Sequence, residues 1–370
     1  MTLPRVAIRS IETAVPRPMP QPVLRDLMAA QPGLSPLARR LVRTVYDASA
    51  IDTRHTVIDE LDGVTHGAPL FVDPGRALVL APPTGARNAA YARLSRDLLV
   101  EAGRRALKAA GLEASDVSHV VTVSCTGFFA PGPDYVLVRE LGLRPSTRRL
   151  HVGFMGCYGV FPALRAARST CEAEPDAVVL VVSVELCTLH LHVADDPDTI
   201  VSSSVFADGA AAAVVTARPA PAGEPILTID ALETVLTEQG EQDMAWTIGD
   251  HGFDMVLSSY VPRIIEGDIH AALEPLLEGR PAAQIEHWAV HPGGRAILDR
   301  VQGALGLSDE QLAPSREVLR GYGNMSSATV LFILREILYA PLPPTPARVA
   351  AVAFGPGLTV ETALLTRGAA

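Results

Sequence analysis

The stretch Ala177-Val-Val-Leu-Val-Val-Ser-Val184 leaves a folding chain few options, because an uncharged apolar run is costly on a surface and this one is far too short to cross a membrane. Runs of this kind become strands of a sheet that is covered on both faces. Four more are read the same way: Val117–Ser124, Ala210–Thr216, Ile285–Val290 and Ala347–Phe354. Most are rich in Val and Ala and bounded by polar residues, Gly or Pro. Helical patterns lie between them, at Leu94–Ala110, Gly159–Glu172, Arg295–Leu305 and Met325–Leu338. The chain is therefore expected to be α/β, with helices layered on mainly mixed or parallel sheets. Two prolines and a glycine in Arg218–Glu224 break any regular element, so the chain is divided into halves 1–217 and 225–370. No internal repeat is visible in the sequence.

Charge and cysteine usage narrow the chemistry. With a formal net charge of −10, the chain is a poor binder of nucleic acid, and an anionic CoA ester would need a local basic patch. Arg39, Arg40 and Arg43, on the helical stretch Pro36–Val45, are candidates for one; the alternative is that they are solvated surface arginines. The four cysteines (Cys125, Cys157, Cys171 and Cys187) show no CxxC spacing, and no paired His clusters accompany them. Neither a zinc site nor a disulfide framework is indicated, and a reducing, cytoplasmic setting is expected. The N-terminus lacks a basic region followed by a long apolar core, and no apolar run is long enough to span a bilayer.

Cys157, in Gly153-Phe-Met-Gly-Cys-Tyr-Gly159, sits where an apolar approach gives way to a helix. A thiol at a first helical turn lies beside unpaired N–H groups and the positive end of the helix dipole, both of which favour the thiolate. Thiolate is the form that attacks a thioester. His291 follows the strand Ile285–Val290 and opens His-Pro-Gly-Gly, a setting in which a side chain can project into a cleft and a ligand can approach the backbone closely. Asn324, in Gly321-Tyr-Gly-Asn-Met-Ser-Ser-Ala328, is read as a helix N-cap, a common structural use of Asn. Taken singly, the histidine and the asparagine are weak evidence for catalysis.

Together these segments resemble the type III polyketide synthases, the chalcone synthase group of the thiolase superfamily. The resemblance is carried in order by Gly156-Cys-Tyr-Gly, Phe206-Ala-Asp-Gly-Ala-Ala-Ala, His291-Pro-Gly-Gly, Gly321-Tyr-Gly-Asn-Met-Ser-Ser-Ala and Phe354-Gly-Pro-Gly-Leu-Thr-Val-Glu-Thr, over roughly residues 118 to 365. It implies a homodimer with the five-layered αβαβα thiolase fold, two similar halves, and a buried cavity reached by a CoA tunnel. It also implies an acyltransferase acting on CoA thioesters that supply their own phosphopantetheine arm, with no metal or redox cofactor. Cys157 would hold an acyl starter as a thioester, with His291 as an imidazolium that keeps the thiol ionised. His291 and Asn324 would stabilise the enolate left by malonyl-CoA decarboxylation.

Substrate-contact expectations follow the same resemblance. Phe206 corresponds to a gatekeeping aromatic between tunnel and cavity. The second such aromatic aligns with Met255, a more adaptable side chain, with Phe253 as its candidate substitute. Cys187 and His190 stand at cavity-wall positions, and Ser326 follows the Asn324 motif. Leu41 and Thr44 lie near the positions of two basic residues that plant members use for CoA, which leaves Arg43 and its neighbours as substitutes. Gly294, Arg295 and Ala296, at a helix start, offer free N–H groups to an anionic or carbonyl ligand. Residues 246–262 and 153–157 are most similar to bacterial alkylresorcinol and alkylpyrone synthases, implying a fatty acyl starter. The competing enzymatic reading is a ketoacyl synthase III that condenses once. A non-catalytic acyl-CoA-binding subunit would be expected to have lost one of the three catalytic types, and all three are present. The Cys-Gly-Ser-Cys-Trp pattern of a papain-type protease is absent.

Overall fold

The computed structural model describes residues 4–237, 239–258 and 260–370. Its main sheet is built from Ala7–Ala14 (β1), His119–Ser124 (β2), Arg148–Gly153 (β3), Val178–Leu186 (β4), Asp208–Thr216 (β5), Pro225–Leu236 (β6), His287–Val290 (β7), Ala347–Gly355 (β8) and Thr359–Ala369 (β9). These lie in the order β7-β8-β9-β6-β1-β5-β4-β2-β3. From the centre outwards the two wings repeat one plan. In one, β1 is antiparallel to β5, β5 antiparallel to β4, and β4 parallel to β2. In the other, β6 is antiparallel to β9, β9 antiparallel to β8, and β8 parallel to β7. Within the sheet the wings are joined by a short register that pairs β1 with β6, Ala7↔Thr228 and Ile8↔Leu227.

Alternation along the strands creates the layers. Val179 and Val181 of β4, with Val349, Ala351 and Ala353 of β8, pack into one central core together with Leu164 and Ala167 of the helix Val160–Ala173 and Leu331 and Leu334 of the helix Thr329–Tyr339. Their neighbours in sequence face outward. Val178, Leu180 and Val182 pack with Leu99 and Ala102 of the helix Thr84–Ala109, while Ala350, Val352 and Phe354 pack with Ile265, Leu298 and Leu312 of three helices on the far side. Two helices inside, a sheet on either side and helices outside both make the five-layered αβαβα arrangement. Both faces of β4, β5 and β8 are buried, which explains their continuous apolar runs. Each fully buried Val or Leu contributes roughly 1.5–3 kcal/mol of transfer free energy.

Several boundaries differ from the sequence reading for physical reasons. The long outer helix starts at Thr84 rather than Leu94, because its first turns bury Arg87 as well as Ala90 and Tyr91, and a buried arginine hides the apolar period. The helix read from Met325 begins at Thr329, after a 3-10 turn over Ser326–Ala328. Strand β3 carries no apolar run because its first four residues are exposed at the edge of the sheet.

Candidate active site

Three loops at strand and helix ends bring Cys157, His291 and Asn324 together. After β3 the chain passes through Phe154, at φ 58°, and Gly156, at φ 75°, into a 3-10 turn over Gly156–Tyr158 that runs into the helix Val160–Ala173. A Cβ on Gly156 would lie 2.5 Å from Cδ of Pro356, so the glycine before the nucleophile admits the Phe354-Gly-Pro-Gly loop. His291 prolongs β7, its N–H donating to the Val352 carbonyl at 2.8 Å. Asn324 lies one residue before the N-cap position, which Met325 takes; its Oδ1 accepts from the Ser326 N–H at 2.8 Å, and its backbone is laddered to the segment around Phe206.

The three side chains line one cavity of about 470 Å³, with Gly293, Ile297 and Phe354 among its other walls. Cys157 is 9% exposed, and His291 and Asn324 are each 1% exposed. Both ring nitrogens of His291 are buried without a hydrogen-bond partner. The Asn324 Nδ2 reaches the Gly293 carbonyl at 3.4 Å and otherwise bears on the Cys157 sulfur. A buried imidazole and a buried amide with spare hydrogen-bonding capacity suit a ligand oxygen.

Burial dominates the electrostatics. It pushes the Cys157 thiol up to about 12, against opposing hydrogen bonds from Ser326 and Asn324, so the helix-start effect expected to favour thiolate is outweighed. Burial also takes His291 down to about 3. Burial thus works against the ready-made ion pair that the resemblance implies and favours a neutral thiol beside a neutral imidazole. Charging either alone is what burial penalises, so the economical route to thiolate is proton transfer from Cys157 to His291, which creates both charges together.

Behind Cys157 lies a polar chain of which Ser326 alone was expected near the site, as a substrate contact; it is fully buried and lines neither cavity, backing the nucleophile instead. Ser326 Oγ lies 3.6 Å from the Cys157 Sγ and 3.2 Å from the Cys125 Sγ, and the Cys125 thiol donates to Glu185 Oε1 at 3.2 Å. Glu185, within β4, also accepts from Thr126 Oγ1 at 2.7 Å and from Ser327 Oγ. Burial raises the Glu185 carboxyl. One carboxylate letter in an apolar strand was the available signal.

A second cavity, of about 850 Å³, adjoins the first. Its exposed wall is mostly carbon and sulfur, and it includes Cys187, His190 and Phe253 as expected, with Tyr46, Arg54 and Leu191 besides. Phe206, Trp246 and Met255 line both cavities and so form the partition between them. Trp246 and Met255 face each other in the hairpin Met244–Gly249/Gly252–Leu257. Trp246 is therefore the aromatic across from Met255, and Phe253 does not take that place. Phe253 stacks on His190 at 4.1 Å instead. His190 is held neutral, taken down to about 4 chiefly by burial, with Nε2 donating to the Thr126 carbonyl and Nδ1 accepting from the Phe253 N–H.

Arg39 is committed to the carbonyls of Ala29, Gln31 and Leu34, while Arg40 and Arg43 are exposed and line neither cavity. Gly294, Arg295 and Ala296 lie outside the lining, which is supplied by Gly293 and Ile297 on either side; Arg295 is exposed and paired with Asp299 at 3.2 Å. Among the described residues, no group of three His, Cys, Asp or Glu side chains is placed to hold a metal ion, and no helix is long and apolar enough to cross a membrane.

Comparison with known proteins agrees with this geometry. The family described as chalcone and stilbene synthases matches in both its parts, the N-terminal domain over residues 34–219 and the C-terminal domain over residues 229–368. Bisdemethoxycurcumin synthase of Oryza sativa subsp. japonica is 36% identical over 310 residues, covering 80% of this chain and 76% of that protein. The alpha-pyrone synthesis polyketide synthase-like Pks18 of Mycobacterium tuberculosis is 32% identical over 336 residues, covering 89% of this chain and 82% of that protein. "Probable polyketide synthase 1" of Dictyostelium discoideum is 29% identical over 369 residues, and the chain spans 11% of its length. The crystal structure of PKS-I from the brown alga Ectocarpus siliculosus superposes with a TM-score of 0.91 at 30% identity, covering 99% of each chain.

Proposed function

The chain belongs to the chalcone and stilbene synthase family, the type III polyketide synthases, which are acyltransferases that catalyse decarboxylative Claisen condensation; from that premise we propose that it loads a fatty acyl starter from CoA on Cys157 and extends it with malonyl-CoA to an alkylpyrone or alkylresorcinol-type product. The observation that carries the starter class is the large, mostly apolar second cavity, separated from the reacting residues by Phe206, Trp246 and Met255. Similarity to the mycobacterial alpha-pyrone protein supports the same reading.

In the proposed reaction, His291 takes the thiol proton and the Cys157 thiolate attacks the starter thioester. CoA leaves as a thiolate, and the imidazolium returns the proton to it. Malonyl-CoA then loses carbon dioxide, and the electron pair of the broken bond becomes an enolate whose oxygen receives hydrogen bonds from His291 and the Asn324 Nδ2. The enolate carbon attacks the acyl thioester and releases Cys157 as thiolate. The product is a β-ketoacyl-CoA, two carbons longer, ready to be loaded again. The halves divide the work, residues 1–217 contributing Cys157 and residues 225–370 contributing His291 and Asn324. Strand β3 ends the main sheet with an open edge, which suits pairing with a second copy as a homodimer.

The test is mass spectrometry of products from purified protein, malonyl-CoA and acyl-CoA starters from acetyl to palmitoyl, with aromatic starters alongside and Cys157→Ala as control. Pyrones or resorcinols from long starters that vanish in the control are expected. Extension of aromatic starters only would overturn the fatty acyl assignment.

A further inference from the structure

The helix Pro197–Val205 delivers Phe206 to the partition, and a helix end leaves its last carbonyls without donors of their own. Here the Ser203 and Ser204 carbonyls, and that of Phe206 just beyond the helix, are taken by side chains from the first 54 residues. Gln21 Nε2 donates to the Ser204 carbonyl at 2.8 Å, and Tyr46 Oη donates to that of Ser203 at 2.9 Å. Arg54 Nη1 donates to the Ser203 carbonyl at 2.7 Å and to the Phe206 carbonyl at 2.9 Å. Arg54 is only 4% exposed, and its guanidinium lies over the Tyr46 ring at 5.3 Å. A cation at a helix C-terminus interacts favourably with the dipole, which offsets part of the cost of burying the charge.

The same side chain also backs the turn before Asn324. A Cβ on Gly323 would lie 2.9 Å from Cγ of Arg54 and 2.9 Å from the Val205 carbonyl oxygen, so only glycine lets the two segments close on the arginine stem. Beyond that contact, the Asn324 N–H donates to the Val205 carbonyl at 2.9 Å and the Ala207 N–H donates to the Asn324 carbonyl at 2.8 Å. The Phe206 backbone and the Asn324 backbone thus move as one piece, with Arg54 wedged against both.

We infer that Arg54 is a positioning residue for the condensation, holding Phe206 in the wall between the cavities and, through the shared backbone ladder, Asn324 at the reacting atoms. It rests on the synthase reading above. Its Nη1 reaches two carbonyls while the guanidinium plane lies over Tyr46, a geometry that a lysine ammonium only partly reproduces.

The experiment compares full-length wild type, Arg54→Lys and Arg54→Met for thermal unfolding, Cys157 acyl loading by intact mass, and kcat and KM for malonyl-CoA with a long and a short acyl-CoA starter. Arg54→Met is expected to load Cys157 normally yet lose about 10²-fold in kcat, the scale of an ångström-sized misplacement, with KM nearly unchanged. Its preference between long and short starters is expected to flatten, and Arg54→Lys is expected to recover part of both losses. Activity that falls only in proportion to folded protein, with starter preference intact, overturns the inference. If Arg54→Met does not fold, Arg54→Lys decides: wild-type kcat and preference in that folded variant overturn it too. A wild type that extends no starter would instead remove the synthase reading itself.

Discussion

Replacing Asn324 by alanine separates its two uses. The Oδ1 is occupied structurally, accepting the Ser326 N–H at 2.8 Å, and that bond orients the amide. The Nδ2 reaches the Gly293 carbonyl at 3.4 Å, at the long limit of a hydrogen bond, and also favours the Cys157 thiolate, so it is loosely held beside the reacting sulfur and free to turn to a developing oxyanion. Loss of one such preorganised donor in a water-poor site costs about 2.7–4 kcal/mol of barrier, or a factor of about 10²–10³ in rate. Loss of the acceptor leaves the Ser326 N–H unpaired in a residue with no exposure, which costs about 1–3 kcal/mol of stability. Asn324→Ala should therefore release carbon dioxide from malonyl-CoA 10²–10³-fold more slowly, by roughly the one-donor factor, and unfold at a lower temperature. Acyl loading of Cys157, followed by intact mass, should persist. Asn324→Asp keeps an acceptor for Ser326 and should regain stability without regaining rate. Decarboxylation by folded Asn324→Ala within about threefold of wild type would refute the reasoning, because the amide would then not be an oxyanion donor.

Three further outcomes follow from the same structure. Iodoacetamide at neutral pH should modify Cys157 ahead of Cys125 and Cys171, which are 1% and 0% exposed; equal rates at all thiols would mean that His291 does not draw off the Cys157 proton. Met255→Phe narrows the partition shared by the two cavities and should shift products towards shorter starters, and an unchanged starter profile by mass spectrometry would place the partition elsewhere. The Asp208 carboxyl is raised to about 6, chiefly by burial, against hydrogen bonds from Thr188 and Val57. Folding therefore favours its proton: the stabilisation is full below the ordinary carboxylate range and disappears as pH rises through about 6. That is about 3 kcal/mol, and Asp208→Asn should flatten the pH dependence of urea unfolding across that window; an identical slope in the variant would exclude Asp208 as its source.

Much of this protein was decided locally and could be read from the chain. The apolar runs that became β4, β5 and β8 had to be buried on both faces, and the helices between them follow from periodicity. Gly156, whose missing Cβ admits Pro356, shows why the glycines around Cys157 and in the Phe354 loop occur as matched motifs that sequence comparison can recognise. Other features belong to no single segment. The duplication of the two wings is invisible in the sequence because buried strands need only apolar residues of suitable size, so the halves share a plan without sharing letters. Arg43 and Gly294 looked well placed for a ligand, but a position along a helix does not say which way a cavity opens. The partition of Phe206, Trp246 and Met255, the Arg54 clamp, and the burial that disfavours charge on Cys157 and His291 arise only when segments distant along the chain come into contact. Desolvation and packing are sums over spatial neighbours, and the fold chooses those neighbours.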